Sequence, residues 1–254
     1  MQTLQQRYIE QLKKGVLNTL NRDVPADVID PPSLEVLLQP AWFEHFWSGD
    51  ALTMCSPTHL DNTRFCIEDC LARGVAGDLI ECGVWRGGMS IFMRGVLAAH
   101  GVTDRTVWVA DSFQGLPPPP TNSRDEVMYN FPQVVDVERF RVDQAKVEAS
   151  FARYGLLDDQ VKFLPGWFGE TLPHAPIERL AVLRLDGDYY TSTMETLESL
   201  YPKLSPGGYL IIDDWGLGDL CGEQEAVLDY RREHHITDEI IPVDYHTAYW
   251  RKGG

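Results

Sequence analysis

Two apolar segments of this 254-residue chain end abruptly in acidic residues. The segment "LRLDGDYYTST" carries Asp186 and Asp188, and "LIIDDWG" carries Asp213 and Asp214. Like charges brought together at the ends of buried strands repel one another unless a positive charge lies between them. Carboxylates are the hard oxygen donors that Mg²⁺ selects, and neither segment offers the cysteines or paired histidines of a zinc site. We therefore predict that Asp186, Asp213 and Asp214 bind Mg²⁺.

A structural role is the alternative for these acids. Asp213 and Asp214 could cap the helix that follows them, although one cap requires only one acid. Asp188 stands immediately before the helical pattern "TSTMETLESL". We expect Asp188 to cap that helix or to lie just outside the metal ligands, rather than to be a ligand itself.

A second group of candidate residues follows an earlier strand, in "LIECGVWRGGMS". This segment resembles the nicotinamide-dinucleotide fingerprint, but Glu81 lies on the strand and the bulky Trp85 and Arg86 occupy the turn. A pyrophosphate requires close approach of the backbone and tolerates an adjacent carboxylate poorly. A cationic ligand such as S-adenosylmethionine, which carries an ammonium and a sulfonium, suits the segment better.

The same loop predicts how a methyl donor would be held. The donor's carboxylate would meet the N-terminus of the following helix and the hydroxyl of Ser90. The next strand ends in "VADSFQG", so Asp111 stands where an acid accepts hydrogen bonds from two ribose hydroxyls. The alternative is a glycine turn that serves only close packing of a helix on the sheet. The predicted contact residues of this region are Glu81, Gly83, Trp85, Gly87, Gly88, Ser90 and Asp111.

The order of hydrophobic segments predicts an α/β fold. Continuous apolar runs alternate with helices, which indicates a doubly wound, mostly parallel sheet covered on both faces. The last two of seven strands lack room for a crossover helix and should pair antiparallel at one edge. Ligands of such folds lie beyond the carboxyl ends of the strands, where the aspartates stand. Helices are predicted over 5–20, 62–73, 88–100, 139–154, 192–202 and 223–233, with an irregular stretch over 21–60. Strands are predicted over 79–82, 106–111, 161–166, 180–186, 207–214, 239–243 and 247–251.

The composition limits the classes of partner. A formal net charge of −16 argues against nucleic acid, whose phosphates require clustered lysine and arginine. The chain has neither an apolar run long enough to span a membrane nor a basic run for an anionic membrane surface. Its N-terminal residues are polar where a signal peptide is apolar, and its five cysteines form no metal-ligand pattern. We expect a cytoplasmic protein with reduced thiols.

Several longer motifs resemble those of the macrocin-type sugar O-methyltransferases. They are "ECGVWRGG", "ADSFQGLP", "PGWF", "LRLDGDYYTSTMETLESLYPKLSPGGYLIIDDW" and "YWRK", in the family's order over roughly residues 75–252. Enzymes of this family depend on S-adenosylmethionine and Mg²⁺ and methylate deoxysugars on macrolides and related antibiotics. The resemblance implies a Rossmann-like class I methyltransferase fold, a glycosylated small-molecule acceptor, and a homodimer or higher homo-oligomer. Residues 1–60 match more loosely and are predicted to form a helical lid segment on a methyltransferase domain of residues 61–254.

The resemblance also implies roles along the methyl donor. Glu81 would bind its amino group, and Met54 would approach its methyl group. The alternative for the two aromatic residues of "PGWFGET" is that they only fill the core. The residues implied on the ribose and adenine side are Asp111, Ser112, Trp167 and Phe168.

A metal site of this kind would activate a sugar hydroxyl. Two adjacent hydroxyls held by Mg²⁺ would have a lowered pKa, and Asp186 would accept the proton as general base. The oxygen would then attack the sulfonium methyl in line, with positioning as most of the remaining contribution. Catechol methyltransferases of related fold use a lysine shortly after the first metal aspartate, and "DGDYYTST" has none. The nearest alternative is the same mechanism on a catechol or another vicinal diol of a polyketide.

Other residues have two open interpretations. His246 in "DYHTAYW" could reach the site or have an ordinary surface or core role. Glu35 and Glu138 could orient a sugar hydroxyl or be solvated loop residues. The long segment 121–140 is predicted to be a lid over the acceptor. Its aromatic residues and those of "AWFEHFW" could form an apolar wall for an aglycone, or a subunit interface.

Overall fold

One seven-stranded sheet organises the computed structural model, which describes residues 2–47, 49–130 and 137–254. The strands are β1 (Asp78–Cys82), β2 (Val107–Asp111), β3 (Val161–Pro165), β4 (Leu180–Leu185), β5 (Leu204–Ile212), β6 (Ile241–Pro242) and β7 (Ala248–Arg251). Their order is β3-β2-β1-β4-β5-β7-β6. The first five strands are parallel, whereas β7 is antiparallel to both β5 and β6. The predicted α/β fold, with a mostly parallel sheet and an antiparallel last strand, is confirmed.

Helices cover both faces of the sheet. They are α1 (Leu4–Val16), α2 (Ala26–Ile29), α3 (Leu34–Leu37), α4 (Pro40–Phe46), α5 (Pro57–Ala72), α6 (Gly88–Ala99), α7 (Glu126–Tyr129), α8 (Gln144–Arg153), α9 (Phe168–Thr171), α10 (Tyr190–Leu200) and α11 (Glu223–Glu233). Buried apolar residues form two clusters, and neighbouring residues of β1, Leu79 and Ile80, belong to different ones. This follows from the alternation of side chains along a strand, which sends one to each face. No helix of the described ranges is long and apolar enough to cross a membrane.

The N-terminal residues contribute to one of these two clusters. Helix α1 lies against α6, where a Cβ added to Gly95 would stand 2.0 Å from Cδ2 of Leu12. Trp42 and Phe46 of α4 belong to the same buried cluster. The separation of a lid segment (1–60) from a methyltransferase domain (61–254) stays a proposal.

The stretch 21–60 contains more helix than the sequence pattern predicted. Helices α2, α3 and α4 lie within it, and α5 begins at Pro57 rather than at residue 62. Ser56 and His59 form a capping box, in which the Ser56 hydroxyl accepts the His59 amide and His59 Nδ1 accepts the Ser56 amide, both at 3.3 Å. This box usually carries Glu or Gln at its fourth position, so a histidine there does not indicate the start of a helix in the sequence.

Strand β5 determines where two of the predicted metal ligands stand. It covers Leu204–Ile212 instead of 207–214. Asp213 and Asp214 therefore follow the strand and begin a turn. Helix α11 has Gly222 as its N-cap and no side-chain cap, so neither aspartate has the capping role considered as the alternative.

The five cysteines are buried and free. Cys66 and Cys70 lie on one face of α5, and both are fully buried. The Sγ of Cys70 contacts the carbonyl oxygen of Ala181 at 3.5 Å. These thiols pack as small apolar side chains, as the helical spacing of Cys66 and Cys70 predicted.

The first part of the predicted lid is tied to helix α10. Asp125 is only 3% exposed, and its carboxylate accepts the amide of Tyr190 at 2.7 Å and that of Thr191 at 3.3 Å. It also accepts the Thr191 hydroxyl at 2.8 Å. Asp125 therefore satisfies amide donors that the first turn of a helix leaves unpaired. Residues 131–136 of the predicted lid lie outside the described part of the chain.

We expect Asp125→Ala to lower the free energy of unfolding by about 0.5–2 kcal/mol, because the helix loses its cap. At this chain length each kcal/mol corresponds to roughly 2–4 °C in Tm. Asp125→Asn is the comparison variant and should lose less stability, since its single amide oxygen can still accept the Tyr190 amide although its NH₂ group cannot accept the bonds from Thr191. Thermal unfolding of both variants measures the effect, and an alanine variant as stable as the wild type would contradict it.

Candidate active site

A cleft of about 540 Å³ opens at the carboxyl ends of the parallel strands. The strand order reverses between β1 and β4, which is the position where doubly wound folds bind ligands. The loops after all five parallel strands contribute residues to the cleft wall, among them Gly83, Ser112, Gly166, Asp186 and Asp213.

Most of the predicted contact residues meet in this cleft. Those that line it are Met54, Glu81, Gly83, Trp85, Asp111, Ser112, Trp167, Phe168, Asp186, Asp213 and Asp214. Gly87, Gly88 and Ser90 are not in the cleft wall. Gly87 is the N-cap of α6, Gly88 is the first residue of the helix, and Ser90 is fully buried.

The loop after β1 packs against the backbone of Asp186 and donates hydrogen bonds to Asp111. Gly83 has φ +94°, and a Cβ there would stand 1.7 Å from the carbonyl oxygen of Asp186, so no other residue fits. Asp111 accepts the amides of Val84 at 2.8 Å and Trp85 at 3.3 Å. Burial raises the pKa of Asp111, although these amides favour its charged form. The acid predicted to meet ribose thus also orders the glycine loop.

Glu81 lies on β1 with 2% of its surface exposed. The Ser90 hydroxyl donates to its Oε2, and Arg184 donates to its Oε1 at 2.9 Å. Burial raises the pKa of Glu81 to about 7, partly offset by Arg184 and Ser90. Ser90, predicted to meet the donor's carboxylate, instead supports Glu81 in this structure.

Arg184 is the charged residue of the site that the sequence analysis missed. It lies on β4, is 0% exposed, and donates to Asp186 Oδ2 at 2.6 Å and to a carboxylate oxygen of Asp213. The same guanidinium contacts the Sγ of Cys55 at 2.9 Å. An arginine inside the apolar run "LAVLRLD" was the available signal, because arginine is almost never fully buried unless it is paired.

The acids after β4 and β5 belong to two groups of side chains that could bind a metal ion. Carboxylate oxygens of Asp213 and Asp214 lie within 4.8 Å of each other and of an imidazole nitrogen of His246. Asp188, Asp214 and Cys221 form a second such group. Neither group includes Asp186, which is bonded to Arg184 instead.

Asp188 does not cap helix α10. Its backbone is left-handed, with φ +61°, and the helix N-cap is Tyr189, which makes no side-chain cap. The cap comes from Asp125, which the chain separates from Tyr190 by 65 residues. Asp188 lines the cleft, with a carboxylate oxygen within 4.8 Å of one of Asp214, so its expected position just outside the predicted metal ligands stays a prediction.

Negative charge exceeds positive charge in this region. Burial and then Asp188 and Glu223 raise the pKa of Asp214 well above its usual range. Burial raises the pKa of Glu223, which is 0% exposed and accepts the Asp214 amide at 2.7 Å, to about 8. For Asp213 burial is outweighed by Arg184 and His59, which lower its pKa. Such a crowded set of carboxylates fits a divalent cation.

We expect the metal-free protein to become less stable as pH rises from about 5 to about 8. Burial raises the pKa of Glu81 and of Asp188 to about 7, and that of Glu223 to about 8. A carboxyl with a raised folded-state pKa binds more protons folded than unfolded, so the free energy of unfolding falls with pH. Mg²⁺ should restore stability at the upper end, because it binds the deprotonated acids.

Thermal unfolding across this pH range, with and without Mg²⁺, measures both effects. Glu223→Gln is the control variant, since it removes one of the raised carboxyls and should flatten the slope. A metal-free protein whose Tm rises steadily over the same range would contradict the expectation.

Two histidines lie beside the acids. Nδ1 of His59 accepts the Ser56 amide, so its Nε2 carries the proton and donates to Asp244 at 2.6 Å. The ring of His246 lies 4.7 Å from that of His59, and burial, followed by His59, lowers the pKa of His246 to about 4. His246 lines the cleft as a neutral imidazole, and its Nδ1 has no hydrogen-bond partner among the described residues.

An aromatic wall also lines the cleft. It consists of Trp42 and Phe43 of α4 together with Trp47 and Phe140. The ring centroids of Phe43 and Trp47 are 4.7 Å apart, and those of Trp47 and Phe140 are 6.2 Å apart. Trp47 Nε1 also donates to the Sδ of Met54 at 3.0 Å. The aromatic segment "AWFEHFW" therefore lines the cleft. Two exposed acids, Glu35 and Glu138, do not line it.

Comparison with known proteins identifies the family. The family model described as macrocin O-methyltransferase (TylF) matches residues 41–252. The chain belongs to the macrocin O-methyltransferase family. The chain is accordingly an O-methyltransferase, and the cleft at the switch point of its sheet is the candidate active site.

Curated relatives of this chain are also O-methyltransferases. The Streptomyces olivaceus 8-demethyl-8-(2,3-dimethoxy-alpha-L-rhamnosyl)-tetracenomycin-C 4'-O-methyltransferase is 48% identical over 248 residues, covering 96% of this chain and 92% of the relative. The Micromonospora griseorubida mycinamicin III 3''-O-methyltransferase is 51% identical over 203 residues, 80% and 79% of the two chains.

A solved structure agrees with this assignment. The O-methyltransferase NovP superposes with a TM-score of 0.87 at 41% sequence identity, over 98% of this chain and 100% of that one. The chain thus has the class I fold of S-adenosylmethionine-dependent methyltransferases, as the sequence motifs predicted.

Proposed function

We propose that this enzyme transfers the methyl group of S-adenosylmethionine to a hydroxyl of a deoxysugar on a glycosylated natural product, with Mg²⁺ at the acid cluster. One observation carries the proposal. A single cleft is lined both by Glu81 and Asp111, which suit the methyl donor, and by the acids Asp186, Asp213 and Asp214.

The donor side of the cleft has groups for each part of S-adenosylmethionine. Glu81 offers a carboxylate for the ammonium. Met54 lines the same cleft and would approach the methyl-donor region. Asp111 ends β2, where an acid accepts hydrogen bonds from ribose hydroxyls. The residues assigned to the ribose and adenine side are Asp111, Ser112, Trp167 and Phe168.

The acid side fits Mg²⁺. Asp186, Asp213 and Asp214 offer hard oxygen donors, and burial, followed by the nearby acids Asp188 and Glu223, raises the pKa of Asp214. When bound there, Mg²⁺ would lower the pKa of an acceptor hydroxyl.

Asp186 is the acid best placed to accept the proton of that hydroxyl. Its side chain is 28% exposed to the cleft, compared with 12% for Asp213. Arg184 holds only Oδ2 of Asp186, so the two lone pairs of Oδ1 remain for the cation and for the acceptor's proton. Burial and then Asp213 raise the pKa of the Asp186 carboxyl.

The cleft favours a neutral glycoside over a sugar that carries a nucleoside diphosphate. Among the described residues that line it there is no lysine or arginine, whereas eight are acidic: Glu81, Asp111, Glu170, Asp186, Asp188, Glu195, Asp213 and Asp214. A diphosphate would be repelled here. The aromatic wall offers apolar contact to an aglycone, and the S. olivaceus relative is named for a rhamnosylated tetracenomycin.

A panel of acceptors tests the proposal. It contains a deoxysugar-bearing macrolide, a deoxysugar-bearing aromatic polyketide, their free aglycones, a nucleotide-activated deoxysugar and a catechol. We expect a methylated product by mass spectrometry only from glycosides, in the presence of S-adenosylmethionine and Mg²⁺. Methylation of the catechol alone would favour the vicinal-diol alternative, and methylation of the nucleotide sugar alone would overturn the glycoside assignment.

A further inference from the structure

Arg184 connects the two halves of the active site without being exposed to the cleft. It lies on β4, directly opposite Glu81 of β1 in the parallel register, and it is 0% exposed. Strands β1 and β4 are those between which the strand order reverses. The guanidinium therefore stands under the cleft, between its donor side and its acid side.

The planar fork of Arg184 contacts three carboxylates at once. Nη1 donates to Glu81 Oε1 at 2.9 Å and to Asp186 Oδ2 at 2.6 Å, and Nη2 donates to Oδ1 of Asp213. Nη2 also contacts the Sγ of Cys55 at 2.9 Å. A lysine ammonium is a single point of charge, so it lacks the fixed geometry that reaches all three acids together.

Each carboxylate gives one oxygen to Arg184 and retains another. The second oxygen of Glu81 accepts the hydroxyl of Ser90. Oδ1 of Asp186 and Oδ2 of Asp213 accept no hydrogen bond from any residue in the described ranges. Both aspartates line the cleft, so each has one oxygen that is hydrogen-bonded to Arg184 and one that remains for a ligand.

We propose that Arg184 is a positioning residue that orients Asp186 and Asp213 for the divalent cation through the shape of its guanidinium, not through its charge. The inference rests on the proposed function. A purely electrostatic role has the opposite consequence, because removing a buried positive charge would strengthen the attraction of the acids for a cation. The two roles therefore differ in the sign of the effect on metal affinity.

Mn²⁺ binding followed by electron paramagnetic resonance of the free ion tests the proposal. We expect both Arg184→Lys, which keeps the charge, and Arg184→Gln, which removes it, to weaken Mn²⁺ binding at least about tenfold. Wild-type affinity in the lysine variant, or tighter binding in the glutamine variant, would overturn the proposal. Circular dichroism and thermal unfolding establish that each variant is folded.

Arg94→Lys is the matched control. Arg94 of α6 is also buried, at 6% exposure, and its Nη2 donates to Asp158 at 2.5 Å instead of to the cleft acids. We expect this variant to bind Mn²⁺ as the wild type does. A comparable loss in Arg94→Lys would show that any buried arginine has the effect, and the positioning role would then fail.

A measurement on the wild-type protein decides the case if the Arg184 variants do not fold. In ¹⁵N-arginine-labelled protein, slowly rotating Nη protons of Arg184 should persist when Mg²⁺ saturates the site, because both aspartates keep one oxygen on the guanidinium. If the separate signals of these Nη protons merged into one averaged signal when Mg²⁺ was added, the ion would have displaced Arg184. That result would overturn the proposal. A wild-type protein that binds neither ion would refute the proposed function itself, whereas equal binding by wild type and Arg184→Lys refutes only the positioning role.

Discussion

Asp186→Asn is expected to lower kcat by about 10²- to 10⁴-fold, the range that a general base contributes. The amide has nearly the same size and can still accept a bond from Arg184, but it cannot take the acceptor's proton. Glu81 and Asp111 are unchanged, so affinity for S-adenosylhomocysteine should stay within about threefold of the wild type, a difference below about 1 kcal/mol. Steady-state kinetics at saturating Mg²⁺ and calorimetry with S-adenosylhomocysteine measure the two quantities separately.

Asp158→Asn is the control for this variant. Asp158 also accepts a hydrogen bond from a buried arginine, Arg94, but Asp158 does not line the cleft. We expect its kcat to equal that of the wild type. An Asp186→Asn enzyme that loses donor affinity and turnover in equal measure would assign Asp186 to binding, and one that retains full turnover would remove it from the reaction.

Removing the divalent cation should abolish turnover, with a loss of at least about 10³-fold, because an alcohol in water loses its proton only at high pH and a bound metal lowers that pKa by several units. Chelation followed by gel filtration gives the metal-free enzyme, and added Mg²⁺ should restore its rate. Asp213→Asn and Asp214→Asn should each raise the Mg²⁺ concentration needed for half-maximal activity, since each removes a charged ligand.

Thermal unfolding of the metal-free enzyme at about pH 6 is the control for this experiment, because burial raises the pKa of Glu81 and Asp188 to about 7 and that of Glu223 to about 8. These three carboxyls are then largely protonated, and the fold should persist without the ion. Full activity after complete demetallation would contradict the metal's role. Activity that returns with Zn²⁺ and not with Mg²⁺ would contradict the choice of ion, since Zn²⁺ prefers nitrogen and sulfur ligands.

The sequence by itself determined the elements and the ends of the strands. Apolar runs alternating with helices are a local pattern, and they predicted the parallel sheet and its antiparallel final strand correctly. Because parallel strands end at the same edge of a sheet, the acids at the carboxyl ends of β1 and β2 and those that follow β4 and β5 could be expected to meet. The cleft brings together Glu81, Asp111, Asp186 and Asp213, as that argument required.

Tertiary structure alone decided which side chains support these acids. Arg184 and Cys55 are 129 residues apart, Asp125 and Tyr190 are 65 apart, and both pairs are in contact. A local pattern specifies an element and its buried face, but the partner of a buried charge depends on how distant elements pack. For the same reason the sequence pattern did not predict helix α4. Its aromatic side chains line the cleft only because the N-terminal chain packs against the sheet domain.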